Sequence, residues 1–150
     1  MRKDESELDR QMRAFAETCR AKGLKATHQR MEIYRQLAAT QQHPDAETVY
    51  RNVRRRVPAI SRDTVYRTLA TLEDHGLVRK VEAFTGPTRF DANTERHHHF
   101  ICTVCGAIKD FCSPALNDLP IPSSVRSYGA IESAQVQVRG VCAACAGRRR

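Results

Sequence analysis

The chain has 150 residues, with 25 Lys+Arg against 17 Asp+Glu, a net charge of +8 before histidine is counted, and six cysteines. That length suits one ordinary domain or two small ones that would each need extra fastening, and 41% hydrophobic with 28% charged residues excludes a disordered or collagen-like chain. No stretch nears the roughly eighteen apolar residues of a membrane span and the start, Met1 to Glu7, has no apolar core, so the expectation is a cytoplasmic protein without a membrane partner. In that compartment thiols stay reduced, and paired cysteines are read as metal ligands or redox centres before disulfides.

Dividing the chain at Asp91 separates the two unusual features. Residues 1–90 hold 18 Lys+Arg and 12 Asp+Glu, net +6, while residues 91–150 hold 7 and 5, net +2. Cysteine runs the other way, with Cys19 alone in the first part and Cys102, Cys105, Cys112, Cys142 and Cys145 in the second. The pattern suggests a polyanion-binding part, residues 1–90, joined to a metal-stapled part, residues 91–150; charge alone fits a merely solvated basic face better, so the reading needs a motif beside it.

In chain order, the first part reads as helices followed by a hairpin. Met12 to about Lys22 is helical in composition and closes on Gly23, and Thr27 caps a second helix carrying Met31, Ile33, Tyr34 and Leu37. After His43-Pro44, Asp45 caps a third, with Val49, Tyr50 and Val53 as its apolar side and Arg54-Arg55-Arg56 at its end, where cations suit the helix dipole. Ser61 caps a fourth that runs to about His75 and stops at Gly76. There Val65, Leu69 and Leu72 share one stripe and Asp63, Arg67, Ala70 and Asp74 lie opposite, with Arg62 and Tyr66 flanking. Leu77 to Val81, a turn at Thr85-Gly86-Pro87 and Thr88 to Phe90 read as a β-hairpin. Helices ending in such a hairpin predict a winged helix whose fourth helix reads a major groove; a small helical bundle is the alternative.

The second part reads as strands, His97–Cys102, Ala107–Phe111 and a segment within Ala130–Val141, with Pro114, Pro120 and Pro122 limiting any helix between them to about two turns. Cys102-x-x-Cys105 and Cys142-x-x-Cys145, separated by the 36 residues Gly106 to Val141, supply four thiolates for one closed tetrahedral site. Structural zinc is the expected occupant, with paired disulfides and a rubredoxin-like iron site as alternatives. A second set has no sulfur. A strand puts His97 and His99 on one face and turns His98 to the other, with Asp91 upstream and Asp110 on the next strand. Nitrogen with carboxylate oxygen suits iron or manganese, and zinc would also bind.

These residues carry a family resemblance. Leu24 to Arg30, His43-Pro44, Thr64 to Leu69, Gly76-Leu77-Val78, Arg89-Phe90-Asp91 and the His-x-His strand leading into Cys102-x-x-Cys105-Gly106 together resemble the ferric uptake regulator family, over nearly the whole chain. The resemblance implies an α+β protein: an N-terminal winged-helix DNA-binding domain followed by a small α/β dimerisation domain with a four-cysteine zinc site. It implies a homodimeric, metal-dependent repressor of double-stranded operator DNA, not an enzyme, with no small organic ligand. Arg62, Thr64, Tyr66 and Arg67 become the candidate DNA contacts, and the regulatory metal, Fe(2+) or Mn(2+), maps onto His43, Asp91, His97, His99 and Asp110. His43 enters the set only through the resemblance. Peroxide-responsive members carry Asp where iron sensors usually carry Glu, and this chain has Asp110; the implied signal is hydrogen peroxide, read through Fe(II)-catalysed oxidation of His43 or His97. An iron-responsive regulator that senses occupancy alone is the alternative.

Three features depart from the family, one being Arg62-Asp63 in the recognition helix, which is expected to alter operator preference without showing base identity. A further metal site of some members would need ligands where this chain has Arg96, His98, Asn117 and Ser133, so that site is expected to be absent, and the three prolines shorten a helix that is usually longer. A zinc hydrolase or deaminase fits poorly, because the deaminase pattern needs His-x-Glu and His97-His98-His99 supplies no glutamate. Cys19 is expected to be a packed small hydrophobe and Cys112, on Asp110's strand face, a buried thiol, with an approach to the regulatory metal as the alternative. His28 and His75 are read as helix-end residues, and Arg148-Arg149-Arg150 as a frayed tail.

Overall fold

The computed structural model describes residues 5–148, which form two compact units meeting at Thr94 and Glu95. The division falls a few residues later than the expected boundary at Asp91, because Asp91 completes a hairpin strand and belongs to the first unit.

The first unit contains α1 (Glu5–Ala21), α2 (His28–Ala38), α3 (Ala46–Arg54) and α4 (Arg62–Asp74), followed by β1 (Arg79–Val81) and β2 (Arg89–Asp91). Local chemistry sets most of these boundaries. The side chains of Thr27, Asp45 and Ser61 accept hydrogen bonds from the backbone N–H of Arg30, Thr48 and Thr64, satisfying donors that a helix start leaves orphaned. Gly76 ends α4 with φ +70, a left-handed conformation that a side chain would strain. The first helix begins well before the expected Met12, with Glu5 and Glu7 in its opening turn, where carboxylates meet the positive end of the dipole.

Val65, Leu69 and Leu72 form the buried stripe of α4 and join Ile33, Leu37, Val49 and Val53 in a single core. Each such side chain contributes on the order of 2 kcal/mol by leaving water. Phe15 of α1 stacks on Tyr34 of α2 at a centroid distance of 3.7 Å, and Cys19 is fully buried in the same core, its thiol pushed up by burial, as a small hydrophobe should be. The hairpin pairs Arg79 with Asp91 and Val81 with Arg89 in antiparallel register. Helices closed by such a hairpin have the element order of a winged helix.

The second unit is built on β3 (His98–Cys102), with β4 (Ile108–Phe111) antiparallel on one side and β5 (Gln137–Gly140) parallel on the other. Gly106, at φ +75, makes the tight turn between β3 and β4. A parallel neighbour requires a crossover, and this one carries two single-turn helices, α5 (Pro114–Asn117) and α6 (Ser123–Arg126), kept short by prolines. The expected strand within Ala130–Val141 is Gln137–Gly140, which pairs with β3. The short helix α7 (Ala143–Arg148) follows β5 and carries Cys145. Arg149 and Arg150, of the predicted tail, lie outside the described residues.

Candidate metal centres and nucleic-acid surface

The sulfurs of Cys102, Cys105, Cys142 and Cys145 all lie within 4.8 Å of one another. Cys102 ends β3, Cys105 lies in the turn before Gly106, and the second pair spans the end of β5 and the start of α7. The cluster therefore lies at one end of the small sheet, where it ties the β3–β4 turn to the segment that follows the parallel strand β5. None of the four is oxidised, and Cys105 and Cys142 stand 3.8 Å apart, a thiol contact and not a bond. The backbone N–H groups of Val104 and Cys142 donate to Cys102 Sγ at 3.4 and 3.3 Å. Backbone donors from Cys105 and Cys142 pull the Cys102 thiol down to about 6, while hydrogen bonding with Cys142 leads the causes that push Cys145 up to about 12. Four convergent sulfurs, one already favoured as thiolate, fit a tetrahedral cation such as zinc.

The sulfur-free residues fall into two groups, one in each unit. In the first unit, His43 Nε2 stands 3.2 Å from Asp91 Oδ2, and both side chains are nearly buried. The local backbone is built to hold them. His43 has φ +52, a left-handed conformation costly for a residue with a Cβ. The loop is strapped to β2: the Arg89 guanidinium donates to the carbonyls of Gln42 and His43, Phe90 N–H donates to the Pro44 carbonyl at 3.0 Å, and Asp45 bridges Arg89. Asn93 N–H holds the other oxygen of Asp91 at 2.9 Å.

In the second unit, strand register sets Asp110 opposite His99. Asp110 Oδ1 lies 3.1 Å from His99 Nε2 and 3.6 Å from His97 Nε2, and the two Nε2 atoms are 3.1 Å apart. Bonds of about 2.1 Å would put neighbouring ligands of an octahedral ion about 3.0 Å apart, so these three donors have the spacing of one face of such a site. His97 Nδ1–H donates to the Glu95 carbonyl at 2.6 Å, which leaves the Nε2 lone pair for a metal. Gln135 Nε2 reaches both the His97 carbonyl, at 3.0 Å, and His99 Nδ1, at 3.2 Å. Gln135 carries no signal in the sequence, because it sits in an irregular segment brought beside His99 only by the parallel pairing of β5. His98 points elsewhere: Val136 N–H donates to its Nδ1 at 3.1 Å and its Nε2 meets Asn117 Oδ1 at 2.9 Å, so both ring nitrogens are engaged within the unit. Cys112, expected to be buried, is exposed just beyond β4, with its sulfur against the Arg96 carbonyl.

The four candidate DNA contacts on α4 divide sharply. Arg62 donates from Nε and Nη2 to both Glu47 oxygens at 2.9 Å and lies over the Tyr50 ring at 4.7 Å; the hydrogen bonds hold the Glu47 carboxyl below its usual range. Thr64 shares a hydroxyl contact of 2.8 Å with the cap Ser61. Tyr66 is exposed, and Arg67 projects outward with an ion pair to Asp63 at 2.9 Å.

A winged-helix element order, a cluster of four cysteines and a sulfur-free histidine and carboxylate set are together the marks of a metal-responsive regulator. Residues 21–138 match the model of the ferric uptake regulator family, and the chain belongs to that family, whose members are transcriptional regulators. Within it, the chain is similar to the peroxide-responsive repressor PerR of Staphylococcus aureus, 30% identical over 138 residues that cover 92% of this chain and 93% of that protein. Among solved structures, the Campylobacter jejuni peroxide stress regulator aligns with TM-score 0.67 at 27% identity, covering 84% of this chain and 94% of its own. The Helicobacter pylori ferric uptake regulator, described as having three functional metal-binding sites, aligns with TM-score 0.70 at 25% identity over 97% of each chain. Among the described residues no helix is long and apolar enough to cross a membrane.

Proposed function

We propose that this chain is a homodimeric repressor that binds operator DNA when metal-loaded and releases it when hydrogen peroxide oxidises a ligand histidine. The observation that carries this reading is the set of two imidazoles and one carboxylate at His97, His99 and Asp110, with no thiolate among them. Such a face suits a borderline or hard divalent ion with open positions, Fe(2+) or Mn(2+), better than the sulfur-rich cluster does. In the proposal His43 and Asp91 complete the coordination, so one ion takes ligands from both units. Metal then favours the arrangement of the units that suits DNA, a coupling of about 1–3 kcal/mol in typical allosteric proteins.

Zinc at the four cysteines has the structural part. Fe(2+) held by these residues would supply electron transfer to peroxide; the net change would be insertion of one peroxide oxygen into a ring C–H bond of His43 or His97, with the other oxygen leaving as water. Loss of a nitrogen donor weakens the site, and repression ends. Exposed Val125, Tyr128, Ile131 and Val138 support the second unit as the dimerising one, since a monomer leaves them in water. The exposed face of α4 supports reading by Tyr66 and Arg67, with Arg62 and Thr64 holding that helix in place.

Iron-loaded chain treated with peroxide should gain one oxygen on a His43 or His97 peptide and lose operator affinity irreversibly, while manganese-loaded chain should be spared. Release by a chelator but not by peroxide would replace the oxidation step with simple sensing of metal occupancy.

A further inference from the structure

The outward face of α4 carries a carboxylate where a DNA-reading surface would ordinarily exclude one. Asp63 and Arg67 are one turn apart, their side chains 73% and 74% exposed, and Asp63 Oδ2 meets Arg67 Nη2 at 2.9 Å. They lie opposite the buried stripe of Val65, Leu69 and Leu72. An exposed pair of this kind contributes little to stability. Beside a polyanion, an acid at this position also repels phosphate and weakens binding to every sequence alike. A first-turn carboxylate also suits the positive end of the α4 dipole, but neither that nor bulk affinity calls for one paired with the outward Arg67.

We propose that Asp63 is a specificity-determining, positioning residue: it holds the Arg67 guanidinium so that its remaining N–H groups meet the O6 and N7 edge of a guanine. The inference rests on the reading of operator DNA by α4 proposed above. Arginine has five N–H donors in a planar fork, and Asp63 takes one nitrogen, Nη2, leaving donors for a bidentate contact. A guanidinium on a flexible stem loses rotamer freedom when it docks; one already held along its helix loses less, and only in the orientation Asp63 permits. The other arginine of the helix cannot take this part while both Glu47 oxygens and the Tyr50 face hold it. Arg62 fixes α4 against α3, and Arg67 with Asp63 reads.

The test is selection from a random DNA library, followed by sequencing, with full chain loaded with zinc and Mn(II). Wild type, Asp63→Ala, Asp63→Glu and Arg67→Ala are compared, with thermal melting of each variant alongside. Wild type should prefer guanine at one position of each half-site by roughly tenfold or more over adenine. Arg67→Ala should abolish that preference. Asp63→Ala should cut it to about two- or threefold while raising affinity for bulk DNA, because a repelling charge is gone. Asp63→Glu, which keeps a carboxylate one turn from Arg67, should restore the preference, an outcome that a merely helix-stabilising role would not tie to base identity. A selected motif identical in wild type and Asp63→Ala overturns this inference alone. A wild-type chain that selects no sequence overturns the DNA reading with it.

Discussion

His43 Nε2 and Asp91 Oδ2 stand 3.2 Å apart because an unfavourable backbone conformation at His43 is held in place by β2. A left-handed φ at a histidine persists only where its surroundings over-determine it, and here Arg89 grips the two carbonyls at the bend while Phe90 N–H takes Pro44. The hairpin therefore does more than extend the unit: it aims a nitrogen and an oxygen donor at the same point.

If that pair ligates the regulatory ion, His43→Ala should weaken Mn(II) binding by at least about ten- to a hundredfold while zinc content stays unchanged. Arg89→Ala should produce a smaller loss in the same direction, since it removes the strap and leaves both donors. Isothermal titration with Mn(II), together with metal analysis for zinc, measures both. Unaltered Mn(II) affinity in His43→Ala would remove the first unit from the coordination shell.

The four-cysteine cluster makes a prediction about protons. With Cys102 pulled down to about 6 and Cys145 pushed up to about 12, the metal-free chain at neutral pH holds a thiolate at the first and a thiol at the second. From an ordinary value of 9.0, the depressed Cys102 contributes stability above that pH, and the contribution is lost as pH falls through about 6. The raised Cys145 works the other way, stabilising below 9.0 and losing that effect as pH rises through about 12. Zinc requires all four as thiolates, so binding at pH 7 should release fewer than four protons per ion, as an indicator dye would report. Release of all four would mean that Cys102 starts as a thiol. Cys102→Ser should lose zinc and the cooperative unfolding of the second unit.

Helix starts are legible in the chain because Thr27, Asp45 and Ser61 act on N–H groups three residues on, and the two cysteine pairs are legible because a knuckle's spacing is local. Features that depend on distant segments are not. Arg89 reads as a strand residue, and only the fold shows it pinning the His43 bend. Arg62 reads as an exposed cation on a groove-facing helix until α3 brings Glu47 and Tyr50 against it. The start of α1 is only weakly marked by periodicity: Leu8, four residues before Met12, is all that extends the apolar repeat, and the opening turn from Glu5 to Glu7 is helical through charge placement. Strand alternation makes Cys112 look buried, but on its face only Ile108 is buried: Asp110 is already exposed within β4, and Cys112 lies just beyond the strand's end.

Gln135 offers a test of how the second unit prepares its histidines. Its amide bridges the His97 carbonyl and the His99 ring, so Gln135→Ala should leave the fold intact and let the His99 ring rotate. With a metal on His99 Nε2 the ring proton sits on Nδ1, so the amide would turn its Oε1 to accept it, and outer partners of that kind are typically worth about ten- to a hundredfold in metal affinity. Mn(II) affinity should fall within that range, and the zinc content and melting temperature should hold. A drop in melting temperature that matched the affinity loss would assign Gln135 a packing role instead.

Leu69 tests whether the two compact units are independent in energy as well as in form. It is 1% exposed at the centre of the α4 stripe, among Val65, Leu72 and the side chains of α2 and α3. Leu69→Ala removes buried methyl groups and leaves a cavity, a change that costs about 2–5 kcal/mol. Because the zinc cluster lies wholly in the second unit, the loss should appear only in the unfolding of the first. Denaturant titration followed by helix content, with zinc release monitored in the same samples by a chromogenic chelator, separates the two. The midpoint for helix loss should drop while that for zinc release stays in place. If both move together, the units unfold as one, and the core around α4 supports the zinc site as well as the recognition helix.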